Sequence, residues 1–104
     1  MIKVVVLYPH PSDPEAFERE YVEGHLPLMR RLLGPDVPLP TFKPDSSPQR
    51  PAPYYRMAEI HFSDRSQLAE FVRSGKAAIG GESSERVSTG GKPIVFVCEA
   101  LSEI

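Results

Sequence analysis

Ile2-Lys3-Val4-Val5-Val6-Leu7-Tyr8 is the stretch that decides the fold. It is β-branched and continuously apolar after Lys3, which suits a strand covered on both faces rather than one that alternates between core and water. Such a strand belongs in the middle of a sheet. Pro9, His10 and Pro11 then end it. The rest of the chain must supply its neighbours on both sides.

A helix follows at once. Ser12-Asp13-Pro14-Glu15 has the pattern of a helix start, with Ser12 as cap, Glu15 reaching back and a proline acceptable in the first turn. The helix runs to about Leu33, where Gly34-Pro35 stops it, and Arg30 and Arg31 suit the negative end of its dipole. Phe17, Tyr21, His25, Leu28 and Leu32 recur at steps of four, four, three and four, so they share one face. His25 therefore points where core residues point. Two positions later Pro27 cannot donate to the carbonyl of Glu23, and Gly24 loosens the same turn. The expectation is a kinked helix with a histidine inside the kink. Such a ring either faces a pocket or is a core residue bonded to a backbone carbonyl.

From Asp36 to Lys43, Pro38 and Pro40 alternate with Val37, Leu39 and Thr41. The prolines lack N–H groups on one side while their neighbours can donate on the other, as in an edge strand. Seven of the 12 prolines lie between Pro35 and Pro53, so Pro44–Pro53 reads as a solvated surface loop. Tyr54–Phe62 is a second clear strand. Alternation groups Tyr55, Met57, Glu59 and His61 on one face and Tyr54, Arg56, Ala58, Ile60 and Phe62 on the other. Asp64 and Gln67 stand at capping-box spacing before a helix with Leu68, Phe71 and Val72 on its apolar side, ended by Gly75. Lys76 to Ser88 is less regular, with a short helical turn at Ala77–Ile79 before Gly80-Gly81. The last strand spans Ile94–Ala100.

Strand, helix, edge strand, strand, helix, strand is the split βαβ order of an α+β, ferredoxin-like βαββαβ domain occupying residues 1–104. Right-handed crossovers give a four-stranded antiparallel sheet of order 4-1-3-2, with the apolar first strand inside. Both helices cover one face. The apolar residues of the first, third and fourth strands are too many for that face alone, which predicts a homodimer that covers the other.

Composition narrows the partners. With 104 residues the chain is one domain. A net charge of −2 from 12 basic and 14 acidic residues gives no basic stripe, so nucleic acid is not expected. No apolar run reaches membrane-spanning length and no leader pattern opens the chain. The protein reads as cytoplasmic, with Cys98 packing as a small hydrophobe.

The IKVVVLYP strand, the helix bearing Tyr21-x-x-x-His25-x-Pro27, the YYxxAExxF strand and the helix after Ser63 together resemble the EthD family of the dimeric α/β-barrel superfamily. The similarity covers Met1 to about Val72 and the last strand. It implies a dimer whose two sheets form a barrel, with a pocket between sheet and helices in each subunit. The family is named for a protein encoded with an ether-degrading cytochrome P450 system, and the superfamily includes cofactor-free monooxygenases, muconolactone isomerases and haem proteins. The chain departs from the usual pattern at the proline-laden second strand and at Gly80-Gly81, both of which alter pocket shape.

The candidate catalytic residues are His25, Tyr21 and Glu59, with Tyr55, Met57 and His61 as ligand contacts. In this arrangement His25 acts as acid or base near neutral pH, Glu59 orients it, and a tyrosine bonds a substrate carbonyl or phenol. The chemistry that suits such groups is proton transfer on a small, mostly apolar aromatic or carbonyl compound, with no cofactor. A non-enzymatic carrier serving a partner oxygenase is the alternative. Glu59, His61 and His25 also form a two-histidine, one-carboxylate set, but their spacing is not diagnostic and no metal is assigned; haem ligation by His25 is less expected still. The site rests on one condition. If Tyr54, Arg56 and Phe62 face the helices, Glu59 and His61 lie on the barrel side and the constellation fails.

Overall fold

The structure, a computed structural model, describes residues 1–101. The strands are β1 (Ile2–Tyr8), β2 (Thr41–Phe42), β3 (Arg56–Phe62) and β4 (Ile94–Glu99). They form one antiparallel sheet in the order β2-β3-β1-β4, with β1 inside as its composition requires. Val4 lies between Ile60 on one side and Val97 on the other. Ile2, Val6 and Tyr8 are buried beneath the helices.

The first helical segment is a single column in three parts: α1 (Pro14–Glu20), a π-helical turn over Tyr21–His25, and α2 (Leu26–Leu33). The cap is Asp13, whose carboxylate accepts from the Ala16 N–H at 3.1 Å, and not Ser12. The expected kink is replaced by the wider turn. The Leu26 N–H reaches back five residues to the Tyr21 carbonyl, and a turn already out of α register accommodates Pro27, which has no N–H to give. Phe17, Tyr21 and His25 do share the inner face; on α2 the buried residue is Met29 rather than Leu28.

The edge strand lies where the prolines put it, but with the opposite side turned to the sheet. The Glu59 and His61 N–H groups donate to the carbonyls of Pro40 and Pro38, each at 3.0 Å. Pro38 and Pro40 therefore face β3 and accept without donating, so only Thr41–Phe42 make a regular ladder. The loop that follows is pinned rather than free. Ala52 is buried, and its carbonyl lies 2.7 Å from Nε2 of His10.

Asp64 caps α3 (Arg65–Arg73), accepting from the Gln67 N–H, while the Gln67 side chain accepts from the Ser63 N–H. Gly75, at φ 83°, ends it and allows an immediate turn into α4. The expected interruption at Gly80-Gly81 does not occur: α4 is continuous over Lys76–Val87. Packing overrides propensity here. A Cβ on Gly80 would lie 2.8 Å from Sδ of Met29, so the missing side chain lets α4 come close to α2. Both buried clusters lie between this helical layer and the sheet.

Candidate functional site

Tyr8, at the end of β1, is the fixed point of the site. It follows Val4 and Val6 at a period of two, so its ring enters the helical layer, where it is fully buried. Phe17, Tyr21 and His25 stack along the inner face of the helical column, with centroids 5.2 Å and 5.4 Å apart and planes inclined by 14° and 27°. Tyr8 meets Tyr21 edge-on at 5.3 Å. The aromatic stack is the local reason that the π turn holds His25 over the sheet.

The partners of His25 come from α4 and from Tyr8 of β1. Nδ1 lies 2.8 Å from Ser83 Oγ, and Nε2 lies 3.4 Å from both Ser84 Oγ and the Tyr8 hydroxyl, which itself donates to Ser84 at 3.0 Å. Two proton arrangements satisfy this set. In one, Ser84 donates to Nε2 and Nδ1–H donates to Ser83; in the other, Ser83 donates to Nδ1 and Nε2–H donates to Ser84. Either way the ring is neutral. Burial removes water from the imidazolium and pushes His25 down from 6.5 to about 4, and it pushes Tyr8 up to about 12 despite the bond to Ser84. Tyr21 is also raised, first by burial. Its hydroxyl is buried and has no hydrogen-bond partner among the described residues; a buried hydroxyl left unpaired costs about 1–3 kcal/mol.

This array closes the deep end of a cavity of about 630 Å³ between α3, α4 and the sheet. Val6, Leu26, Met29, Ile60, Leu68 and Val97 supply much of its apolar wall. The polar groups stand at or behind its wall: Tyr8 and Tyr21 are 0 % exposed and His25 is 5 %. A volume in this range accommodates a small organic molecule. No residue of the proline-rich loop 44–53 lines it.

The sequence-predicted residues divide between the two faces of the sheet. His25 and Tyr21 are together at the cavity. Glu59, His61 and Met57 are not: Ala58, Ile60 and Phe62 take the helical side of β3, and the other three project from the opposite face. There Glu59 Oε1 lies 2.8 Å from Nε2 of His61 and 3.2 Å from Nζ of Lys3. Hydrogen bonding from His61 lowers its pKa first, with Lys3 adding to the effect. Glu59 therefore cannot orient His25, and the two-histidine, one-carboxylate set falls apart. Among the described residues, no three His, Cys, Asp or Glu side chains gather as metal ligands. Tyr55 precedes β3 and escapes its alternation; it packs edge-on to Phe17 at 5.2 Å and donates to Glu18 at 2.7 Å, beside the Arg56–Glu18 ion pair. It is near the aromatic stack but does not line the cavity.

Sequence reasoning missed Tyr8, Ser83 and Ser84. The signals were present: Tyr8 continues the Val4–Val6 face, and Gly80, Ser83, Ser84 and Val87 recur at helical spacing.

Comparison with known proteins agrees with this architecture. A crystal structure of an EthD-family protein from Bacillus halodurans superposes with a TM-score of 0.82 at 24 % identity, covering 97 % of this chain and 99 % of the other. That of an EthD-like protein from Ralstonia eutropha gives 0.69 at 21 % identity, covering 99 % and 94 %. An uncharacterised 11.0 kDa protein encoded in the thcB–thcC intergenic region of Rhodococcus erythropolis is 27 % identical over 100 residues, 95 % of each chain. The family model of the EthD domain matches residues 9–85. On that match, the chain belongs to the EthD family.

Proposed function

We propose that the protein binds a small, mostly apolar aromatic or carbonyl compound in the cavity and moves a proton on it without a cofactor. The observation that supports this most is the position of Tyr21, a buried hydroxyl with no partner among the described residues, and a neutral imidazole, His25, at a mostly apolar chamber. The Tyr21 hydroxyl is closed to solvent, so a ligand oxygen completes its hydrogen bonding once neighbouring side chains shift to admit it. His25, held near 4, is unprotonated at neutral pH and can receive a proton. Held that low it is a weaker base than a free imidazole, so taking a proton from carbon depends on the Tyr21 hydroxyl stabilising the enolate oxygen; the strong conjugate acid then returns the proton to another atom of the same molecule, as in isomerisation or enolisation. Ser83 and Ser84 hold the ring during that exchange.

A carrier function serving a partner oxygenase is the second reading, and the small exposure of Tyr8, Tyr21 and His25 favours it. His25→Gln separates the two. A catalyst loses turnover of enolisable ketones by at least about 100-fold, whereas a carrier keeps its affinity and shows no turnover in either form.

The protein is further proposed to work as a cytoplasmic homodimer. Ile94 and Phe96, 45 % and 43 % exposed, stand on the sheet face that the helices leave open, beside Val5 and Leu7 of β1. A second copy seated there would form the barrel. Sedimentation equilibrium should return twice the mass of the 11.6 kDa chain; a monomer at micromolar concentration would contradict the proposal. Among the described residues, no helix is long and apolar enough to cross a membrane.

A further inference from the structure

We infer that the cavity selects uncharged molecules and rejects carboxylates, so that the ligand's oxygen is a ketone, aldehyde or phenol rather than an acid. This rests on the pocket reading above and narrows its substrate class. Among the described residues no lysine or arginine lines the cavity. Arg56 lies over the Tyr21 ring at 5.1 Å, paired with Glu18 through Nη2 and with Nε buried, but it is not part of the cavity wall. Among the described residues, the charged side chains on the cavity wall are Glu82 and Glu85. They stand three residues apart on α4, are exposed, and flank buried Ser84. A ligand therefore passes two carboxylates to reach a hydroxyl and a neutral imidazole.

Each step of that path disfavours an anion. The rim gives the mouth a negative potential that lowers the local concentration of carboxylates. The apolar wall removes their hydration, and the deep end offers neutral donors without a cation to compensate the buried charge. A carbonyl loses far less on entering and accepts from the Tyr21 hydroxyl as well as a carboxylate does in shape. A phenol fits the same corner by donating to His25 or Ser84.

A matched pair of probes tests this: 2-acetonaphthone and 2-naphthoate, of the same ring system, titrated at pH 7 against the intact protein. The readout is the amide shifts of Gly81 and Ser84 and the ring signals of His25. The ketone should shift all three, with the naphthoate at least roughly 30-fold weaker. In Glu82→Gln/Glu85→Gln, which changes only exposed side chains, the gap should narrow about three- to tenfold, since the rim supplies part of the discrimination. Naphthoate binding as tightly as the ketone at these residues overturns the inference and leaves the pocket standing. If neither probe moves the three signals, the pocket reading fails and takes this inference with it.

Discussion

The two faces of the sheet hold the same kinds of side chain in opposite circumstances. Under the helices, His25 is 5 % exposed and bonded only to hydroxyls. On the open face, His61 is half-buried against the Glu59 carboxylate, with Lys3 on the other side of the same oxygen. Charge is paired on the open face and absent from the immediate partners of the His25 ring. This follows from the cost of burying an ion without a partner. The same residue type is thus a neutral partner of hydroxyls under the helices and a carboxylate's neighbour on the open face.

Core truncation should show the largest contrast. Phe17→Ala, which opens the aromatic stack, should cost about 3–5 kcal/mol in urea unfolding. Phe96→Ala on the open face should cost less than about 1 kcal/mol in dilute protein, and more as concentration rises if the face is a dimer interface. Equal losses in dilute solution would erase the distinction.

The pH dependence of stability comes next. His25 has a folded pKa below its unfolded value of 6.5, so between 6.5 and about 4 the unfolded chain binds more protons. Stability is full above 6.5 and falls as pH drops through that window, by roughly 3 kcal/mol. Glu59 is also depressed, so its contribution is present above the ordinary carboxylate value of 4.5 and is lost below it. His25→Gln should flatten the upper part of the curve and Glu59→Gln only the lower. Urea midpoints measured from pH 3 to 8 would show the two losses separately; a curve unchanged above pH 4.5 by His25→Gln would mean that the ring ionises alike in both states.

Smaller effects test the hydroxyls. Ser83→Ala leaves Nδ1 of a buried imidazole unpaired and should destabilise by about 1–3 kcal/mol. Tyr21→Phe removes a hydroxyl that already lacks a partner, so stability should hold or rise by up to about 1 kcal/mol while ligand affinity falls. A clear loss of stability would show that the hydroxyl is already satisfied.

Much of this was legible in the sequence, and the failures share a cause. The inner placement of β1 followed from a run of apolar residues with no polar face, and Tyr21 and His25 followed from helical spacing. Periodicity says which residues share a face, but only packing says which face is covered, and so Glu59, His61 and Met57 were grouped correctly while the condition on which their place at the site rested was not met. Pro38 and Pro40 show the same limit: their missing donors marked an edge, and the side turned to β3 was the reverse of the expected one. Gly80-Gly81 misled because propensity opposes a helix there, while close approach to Met29 favours one. Ser83 and Ser84 were hidden by that same misreading.

The most direct test is the ionisation of His25 by NMR, with His25→Gln to assign its signals. The ring should stay neutral down to about pH 4 and shift when 2-acetonaphthone is added at pH 7. A ring titrating at its ordinary 6.5 would contradict its desolvation, and one indifferent to the ketone would leave it a packed core residue with no functional part.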